Sequence, residues 1–273
     1  MIKISIITPA FNNEKTIEQT VVSVINQSYQ RFEHIIIDNC SSDSTLDIVK
    51  KLYHGNKKNE KLKIISEPDC GISDAFNKGI KISGGDVIGI LNADDYYYDN
   101  SVLQKISDAF ENENIIYTHG NILFEDRKYG SNIRRPLLCP VTQALPFNHP
   151  TMFFRKEVYE KHGLYNVDYK QAMDFEFICR LEKSIDDFRS KGKYINGEPL
   201  VYMRAGGSSW ENELGSLEEV KRALMKYGFW NKDAERSFNA RIFRTKTKKI
   251  LDHLWLNSLV KLWRKNKWDK KNH

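Results

Sequence analysis

Cysteine is scarce, with four in 273 residues. Cys40, Cys70, Cys139 and Cys179 lie far apart with no C-x-x-C pair, which argues against a structural zinc site and a disulfide framework and leaves them as reduced thiols. No apolar run approaches the ~18 residues a membrane-spanning helix needs. Residues 1–7 enter a strand-like alternation without a cleavable leader, so a cytoplasmic protein is expected. The dinucleotide fingerprint G-x-G-x-x-G is absent after the first strand, and G-x-x-x-x-G-K-[ST] occurs nowhere, which argues against NAD enzymes and P-loop ATPases. Glycine and proline are too few, at 15 and 7, for a collagen-like or low-complexity chain. What is present, 40% apolar and 29% charged residues, suits a folded chain with a large core.

The net charge of +6 is unevenly spread. Residues 231–273 carry thirteen Lys or Arg against four Asp or Glu, whereas residues 1–230 carry twenty-nine against thirty-two. A basic tail on a slightly acidic body points to an anionic partner met by the tail alone.

Strand-like and helix-like periods alternate through the first hundred residues. Ile2, Ile4 and Ile6 alternate, Thr8-Pro9 is expected to break the strand, and Ile17, Val21, Val24 and Ile25 return at helical spacing. The apolar-rich run 32–37, a helix begun by Ser44, a strand at 62–65, a helix carrying Ile72, Ala75, Phe76, Gly79 and Ile80, and a strand at 87–91 complete a β-α-β-α-β-α-β order. Such an order makes an α/β fold with a mainly parallel sheet, whose ligands bind beyond the carboxyl ends of the strands. Those ends carry residues 8–12, Asp38-Asn39, Glu67-Pro68-Asp69 and Asn92-Ala93-Asp94-Asp95. Asp94 and Asp95 are hard oxygen donors suited to Mg²⁺ or Mn²⁺, with phosphate oxygens and water completing the shell. The alternative for an isolated pair is a solvated turn.

Four ordered stretches carry a resemblance: Ser5-Ile6-Ile7-Thr8-Pro9-Ala10-Phe11-Asn12, Ile36-Ile37-Asp38-Asn39-Cys40-Ser41-Ser42-Asp43-Ser44-Thr45, Gly71-Ile72-Ser73-Asp74-Ala75-Phe76-Asn77-Lys78-Gly79-Ile80 and Leu91-Asn92-Ala93-Asp94-Asp95. The chain resembles the family 2 glycosyltransferases of the GT-A fold, closely over residues 1–100, more loosely to about residue 209, and not in the tail. The resemblance implies inverting transfer of a sugar from a nucleotide-diphosphate donor. It implies a base pocket of Thr8, Pro9, Phe11 and Asp38, with Asp69, Asn77 and Lys78 near base, ribose and phosphates. It places Asn92 and Asp94 on the donor side, with Asp94 at the ribose or sugar, and gives Asp95 the metal, Mn²⁺ or Mg²⁺. Read singly, Phe11 also suits a core position, Asp38 a turn cap, and Lys78 a solvated helix face.

Inverting transfer needs a base beside the acceptor hydroxyl. Asp174 matches the position of the family's base; its alternative is to stabilise the start of its helix. Residues 149–154 read as a strand, 156–162 as a short helix ending at Gly163, and residues from 173 as another helix. His149 is a candidate for the acceptor site, or a structural hydrogen-bonding residue. Trp210 ends the Gly-rich stretch 204–210 and would be offered to a sugar face, unless that stretch is a plain connection. The family's processive members carry Q-x-x-R-W and membrane spans; neither occurs here, which favours addition of one sugar.

In the tail, Leu251, Leu254, Trp255, Leu259 and Leu262 share a helical face flanked by lysines, which suits a helix lying on an anionic membrane. The alternative is packing on the catalytic domain or on a second copy in a homodimer. No nucleic-acid motif accompanies the charge. The expected organisation is a nucleotide-sugar half (1–100), an acceptor half with the base (101–212) and a basic helical extension (213–273). The expected function is single-sugar transfer from a nucleotide sugar, a UDP-sugar first, to a lipid-linked saccharide in surface polysaccharide assembly (O-antigen or capsule), at the inner membrane face. A nucleotidyltransferase would begin with a Gly-rich basic loop where this chain has residues 8–11. A binding module without turnover would not need Asp94, Asp95 and Asp174 together.

Overall fold

The computed structural model describes residues 1–126, 130–206 and 212–253. Its first half follows the expected order: β1 (Ile4–Ala10), α1 (Ile17–Ile25), β2 (Phe32–Asp38), α2 (Thr45–Gly55), β3 (Leu62–Ser66), α3 (Ile72–Ile82) and β4 (Val87–Ile90). There follow β5 (Tyr96–Tyr97), α4 (Val102–Ala109), β6 (Tyr117–Gly120), β7 (Ile122–Asp126), β8 (Gly130–Arg134), β9 (Phe153–Arg155), α5 (Lys156–His162), α6 (Met173–Ser184), β10 (Gly192–Ile195) and β11 (Val201–Arg204). Two helices, α7 (Glu213–Lys226) and α8 (Lys232–His253), end the described chain.

The main sheet runs β10-β6-β9-β4-β1-β2-β3. β1 pairs in parallel with β2 and β4, and β2 with β3, while β9 is antiparallel to both β4 and β6. Residues on both sides of position 100 thus share one sheet. Helices cover both faces, which is why β1 and β2 are buried almost throughout, the polar Glu33, His34 and Asp38 of β2 included. Ile36 faces Val21 of α1 and Val49 of α2, whereas Ile7, Ile35 and Ile37 join Phe76 of α3 and Phe177 of α6 in the largest core. α3 approaches β1 closely at Gly79, where a Cβ would lie 2.4 Å from Ile7 Cγ2.

Two expected boundaries move. β1 does not break at Thr8-Pro9 but runs on to Ala10, with Pro9 opposite Ile37. The Ile7 carbonyl accepts from Leu91 N–H, so Pro9, two residues on, faces the side where β4 has already ended. Its missing N–H therefore costs no ladder bond. Residues 149–151 form a short 3₁₀ turn instead of a strand, and β9 starts only at Phe153. Pro150 cannot donate to a ladder, and Thr151 Oγ1 accepts from Gly120 N–H at 2.9 Å while donating to Asn148 O at 2.7 Å, which fixes the turn.

A smaller sheet, β5-β11-β7-β8, was not expected. β11 pairs antiparallel with β5, which follows Asp95 directly, so this sheet carries Arg204 to the acidic pair. The helices past residue 212 pack on the domain at their start: Val220, Ala223, Leu224 and Ala234 belong to the largest core. Among the described residues no helix is long and apolar enough to cross a membrane.

Candidate active site

A cavity of about 430 Å³ opens beyond the carboxyl ends of β1–β4. One wall comes from the strand-end loops and carries Pro9, Phe11, Asn39, Asp69, Asn92, Asp94 and Asp95; the rest comes from later elements and carries His149, Gln171, Asp174 and Arg204.

The loop after β1 turns sharply at Asn12, whose φ of +52° is a left-handed conformation that Asn tolerates better than most residues. Asn12 Oδ1 accepts from Ser42 N–H at 2.9 Å, and Phe11 N–H donates to Asn13 Oδ1 at 2.8 Å. The turn leaves Phe11 57% exposed at the cavity, an apolar face offered to a ligand and not a core residue. Asp69 accepts from Gly71 N–H at 2.8 Å while its own N–H donates to Asn39 Oδ1 at 2.9 Å, tying the second and third strand-end loops together.

Three expected donor residues are used elsewhere, and Lys78 does not line the cavity. Thr8 is fully buried and bonds His34 Nε2 at 2.9 Å, because its side chain shares the strand face of Ile36 beneath α1 and α2. Asp38 is also fully buried; it accepts from Ser41 N–H at 3.0 Å, from Ser66 Oγ at 2.6 Å and from Ser41 Oγ, so it anchors the turn after β2. Asn77 exchanges bonds with the Tyr165 backbone, donating to its carbonyl at 2.8 Å and accepting from its N–H at 2.9 Å. Lys78 donates to Pro68 O at 2.6 Å and pairs with Glu67 at 2.9 Å, bracing the loop that carries Asp69. Trp210 lies outside the described residues.

Asp95 is 1% exposed, and its backbone is held by Thr20 Oγ1, which donates to Asp95 O at 2.7 Å. Its Oδ1 accepts from Arg204 N–H at 3.1 Å and its Oδ2 from Asn92 Nδ2 at 3.4 Å. Burial, with the neighbouring Asp94 charge added, raises the Asp95 pKa well above the carboxylate range; burial likewise raises that of Asp94, against the pull of Arg204. Buried next to these carboxylates, Asn92 Oδ1 has no hydrogen-bond partner among the described residues. Two crowded carboxylates and an orphaned amide oxygen, all hard oxygen donors, fit a divalent cation. Among the described residues no three His, Cys, Asp or Glu side chains are grouped to hold an ion, so a cation here would complete its shell from phosphate and water.

Arg204 escaped the sequence reading as a site residue. Its guanidinium donates to Asp94 O at 3.3 Å and to Gln19 Oε1, over the Tyr96 ring. The one available signal was its place at the head of the Gly-rich stretch 204–210.

Asp174 lies in the first turn of α6, where Oδ1 accepts from Phe175 N–H at 2.7 Å; Oδ2 makes no hydrogen bond among the described residues. His149 stacks on Phe76 with centroids 5.9 Å apart, and burial lowers its pKa although the Asp174 charge pulls the other way. A neutral imidazole and a carboxylate with a free oxygen therefore border the same cavity.

Residues 5–179 match the family model described as glycosyl transferase family 2. The chain belongs to that family. An uncharacterized glycosyltransferase of Haemophilus influenzae is 30% identical over 192 residues, 64% of this chain and 58% of the relative, so the chain spans less than two thirds of that relative's length. Among solved structures, the S. aureus TarS 1–349 complex with UDP-GlcNAc superposes with a TM-score of 0.66 at 16% identity, covering 88% of this chain and 71% of that one. The mannosyltransferase PcManGT from Pyrobaculum calidifontis, in complex with GDP-Man and Mn²⁺, gives 0.62 at 14% identity, covering 98% and 88%. The family 2 chain thus has the GT-A architecture, its parallel strands β1–β4 extended by β9, β6 and β10.

Proposed function

We propose that this family 2 glycosyltransferase is a metal-dependent inverting enzyme that moves one sugar from a nucleotide-diphosphate donor, a UDP-sugar first, to a saccharide acceptor carried on a lipid. The observation that carries the reading is the convergence of Asp94, Asp95 and Asp174 on one cavity from different elements. Phe11 offers an apolar face to the base, and Asp69, Asn92 and Asp94 offer acceptors to ribose and sugar hydroxyls. Asp95 would hold Mn²⁺ or Mg²⁺, which when bound offsets the charge of the departing diphosphate. Asp174 takes the acceptor proton as the hydroxyl oxygen bonds to the anomeric carbon and the bond from that carbon to the diphosphate breaks. His149, kept neutral by burial, borders the acceptor side. The UDP-GlcNAc and the GDP-Man with Mn²⁺ held by the two structural relatives support a nucleotide-sugar donor and a divalent ion.

The basic tail supports peripheral attachment at the inner membrane face during surface polysaccharide assembly, where a lipid-linked acceptor is met. The apolar stripe beginning at Leu251 lies outside the described residues apart from the backbone of Leu251 itself.

A panel of nucleotide sugars incubated with Mn²⁺ or Mg²⁺ tests the reading by release of nucleoside diphosphate. Release from one donor, abolished by excess chelator, is expected; no release from any donor, or release indifferent to chelator, would contradict it.

A further inference from the structure

α6 begins without a cap of its own. The residue at its N-terminal boundary is Ala172, which has no side-chain acceptor for the unpaired N–H groups of a helix start. A distant carboxylate instead holds the backbone that leads into the helix, reaching its start only at the Ala172 N–H. Glu219 of α7 accepts from Lys170 N–H at 2.9 Å through Oε1, and from Gln171 N–H at 2.9 Å and Ala172 N–H at 2.8 Å through Oε2. Three charge-assisted bonds from one side chain fix the backbone two residues before Asp174, and place negative charge where the α6 dipole favours it.

The same stretch is gripped from both sides. Arg222, one helical turn after Glu219, donates to Asp168 O at 2.7 Å and stacks its guanidinium 4.1 Å from the Tyr169 ring centroid. From α3, Ser73 Oγ donates to Tyr169 O at 2.9 Å, and Lys170 Nζ reaches back to Cys70 O at 2.7 Å. Gln171 and Asp174 line the cavity, so the clamped backbone is part of its wall. Glu219 itself does not line it, and it lies beyond residues 5–179 matched by the family model.

We propose that Glu219 is a positioning residue for Asp174: by holding the backbone of residues 170–172 it sets where the base carboxylate meets the acceptor, which makes α7 part of the catalytic apparatus. This rests on the reading of Asp174 as the base. Placement matters because a small displacement of a base from its proton costs far more turnover than binding.

The test is a double-mutant cycle in the full chain, with turnover and nucleoside diphosphate affinity both measured. Glu219→Ala should lower kcat about tenfold or more and leave nucleotide affinity unchanged, since the donor loops do not touch Glu219. Glu219→Gln, which keeps one carbonyl oxygen as acceptor, should fall between. In the Asp174→Asn background Glu219→Ala should cause no further loss, as expected of groups acting as one unit. An equal fold-loss in both backgrounds would show a general structural role and overturn the proposal, as would wild-type kcat in Glu219→Ala. If Glu219→Ala does not fold, Glu219→Gln carries the same cycle with the same criteria. Wild-type turnover in Asp174→Asn would defeat the base assignment itself, whereas a crippled Asp174→Asn beside a normal Glu219→Ala defeats only the positioning role.

Discussion

Asp174 differs from the other cavity carboxylates in what surrounds it. Asp95 is deeply buried and Asp94 half-buried beside it, and the two crowd each other, a state a divalent ion would relieve, whereas Asp174 keeps one oxygen without a hydrogen bond among the described residues. Asp174→Asn should therefore lower turnover by about 10² to 10⁴-fold, the usual contribution of a positioned base, with donor affinity retained. Steady-state kinetics with a binding isotherm checks this; normal turnover of bound donor would reverse the assignment. The lining of the cavity was legible where chemistry and strand end coincide, as at Phe11, Asp69, Asn92, Asp94 and Asp95. It was not legible where a residue lies in the same motif but points elsewhere. Thr8 alternates to the opposite strand face, and Asp38 and Asn77 are consumed by backbone and hydroxyl partners that spacing does not reveal.

At the scale of elements, the α3–β1 contact places the first loops. A methyl group at position 79 would collide with Ile7, so Gly79→Ala should destabilise the fold by about 1–3 kcal/mol. Gly55→Ala, at the end of α2 with nothing within 4 Å, should be close to neutral or slightly stabilising. Urea unfolding of the two variants separates them; equal midpoints would contradict close packing of α3 on β1. α1, α2 and α3 were readable because nine to eleven residues give periodicity room to show. The second sheet was not, because its strands have two to five residues and pair across long separations, as β11 does with β5 and β7. The turn at 149–151 was hidden for another reason: its stability comes from Thr151 bonding to Gly120, about thirty residues away.

The whole molecule stores pH sensitivity in buried imidazoles. His34, enclosed between Thr8 and Tyr53, is pushed down to about 3 by burial, and His119 to about 4. The unfolded chain, with histidine near 6.5, binds these protons first, so their stabilisation is complete above about pH 6.5 and is lost as pH falls toward 3 to 4. At pH 4.5 His34 alone would account for about 2 to 3 kcal/mol. The melting midpoint should fall between pH 7 and 4.5, less steeply in His34→Gln; an identical slope in both would contradict the burial argument. The tail makes a separate prediction. Removing residues 244–273 should release the protein from anionic vesicles, in a manner mimicked by added salt, while sparing donor hydrolysis, because every cavity residue lies before the cut. Insoluble or donor-inactive protein would mean that the stripe packs on the catalytic domain. The central claim is that one cavity divides its work between a metal-holding and a proton-accepting carboxylate. Its most direct test is the Mn²⁺-dependent affinity for nucleoside diphosphate in wild type, Asp95→Asn and Asp174→Asn. Affinity should be lost in Asp95→Asn and unchanged in Asp174→Asn; the reverse pattern, or equal loss in both, would contradict the division.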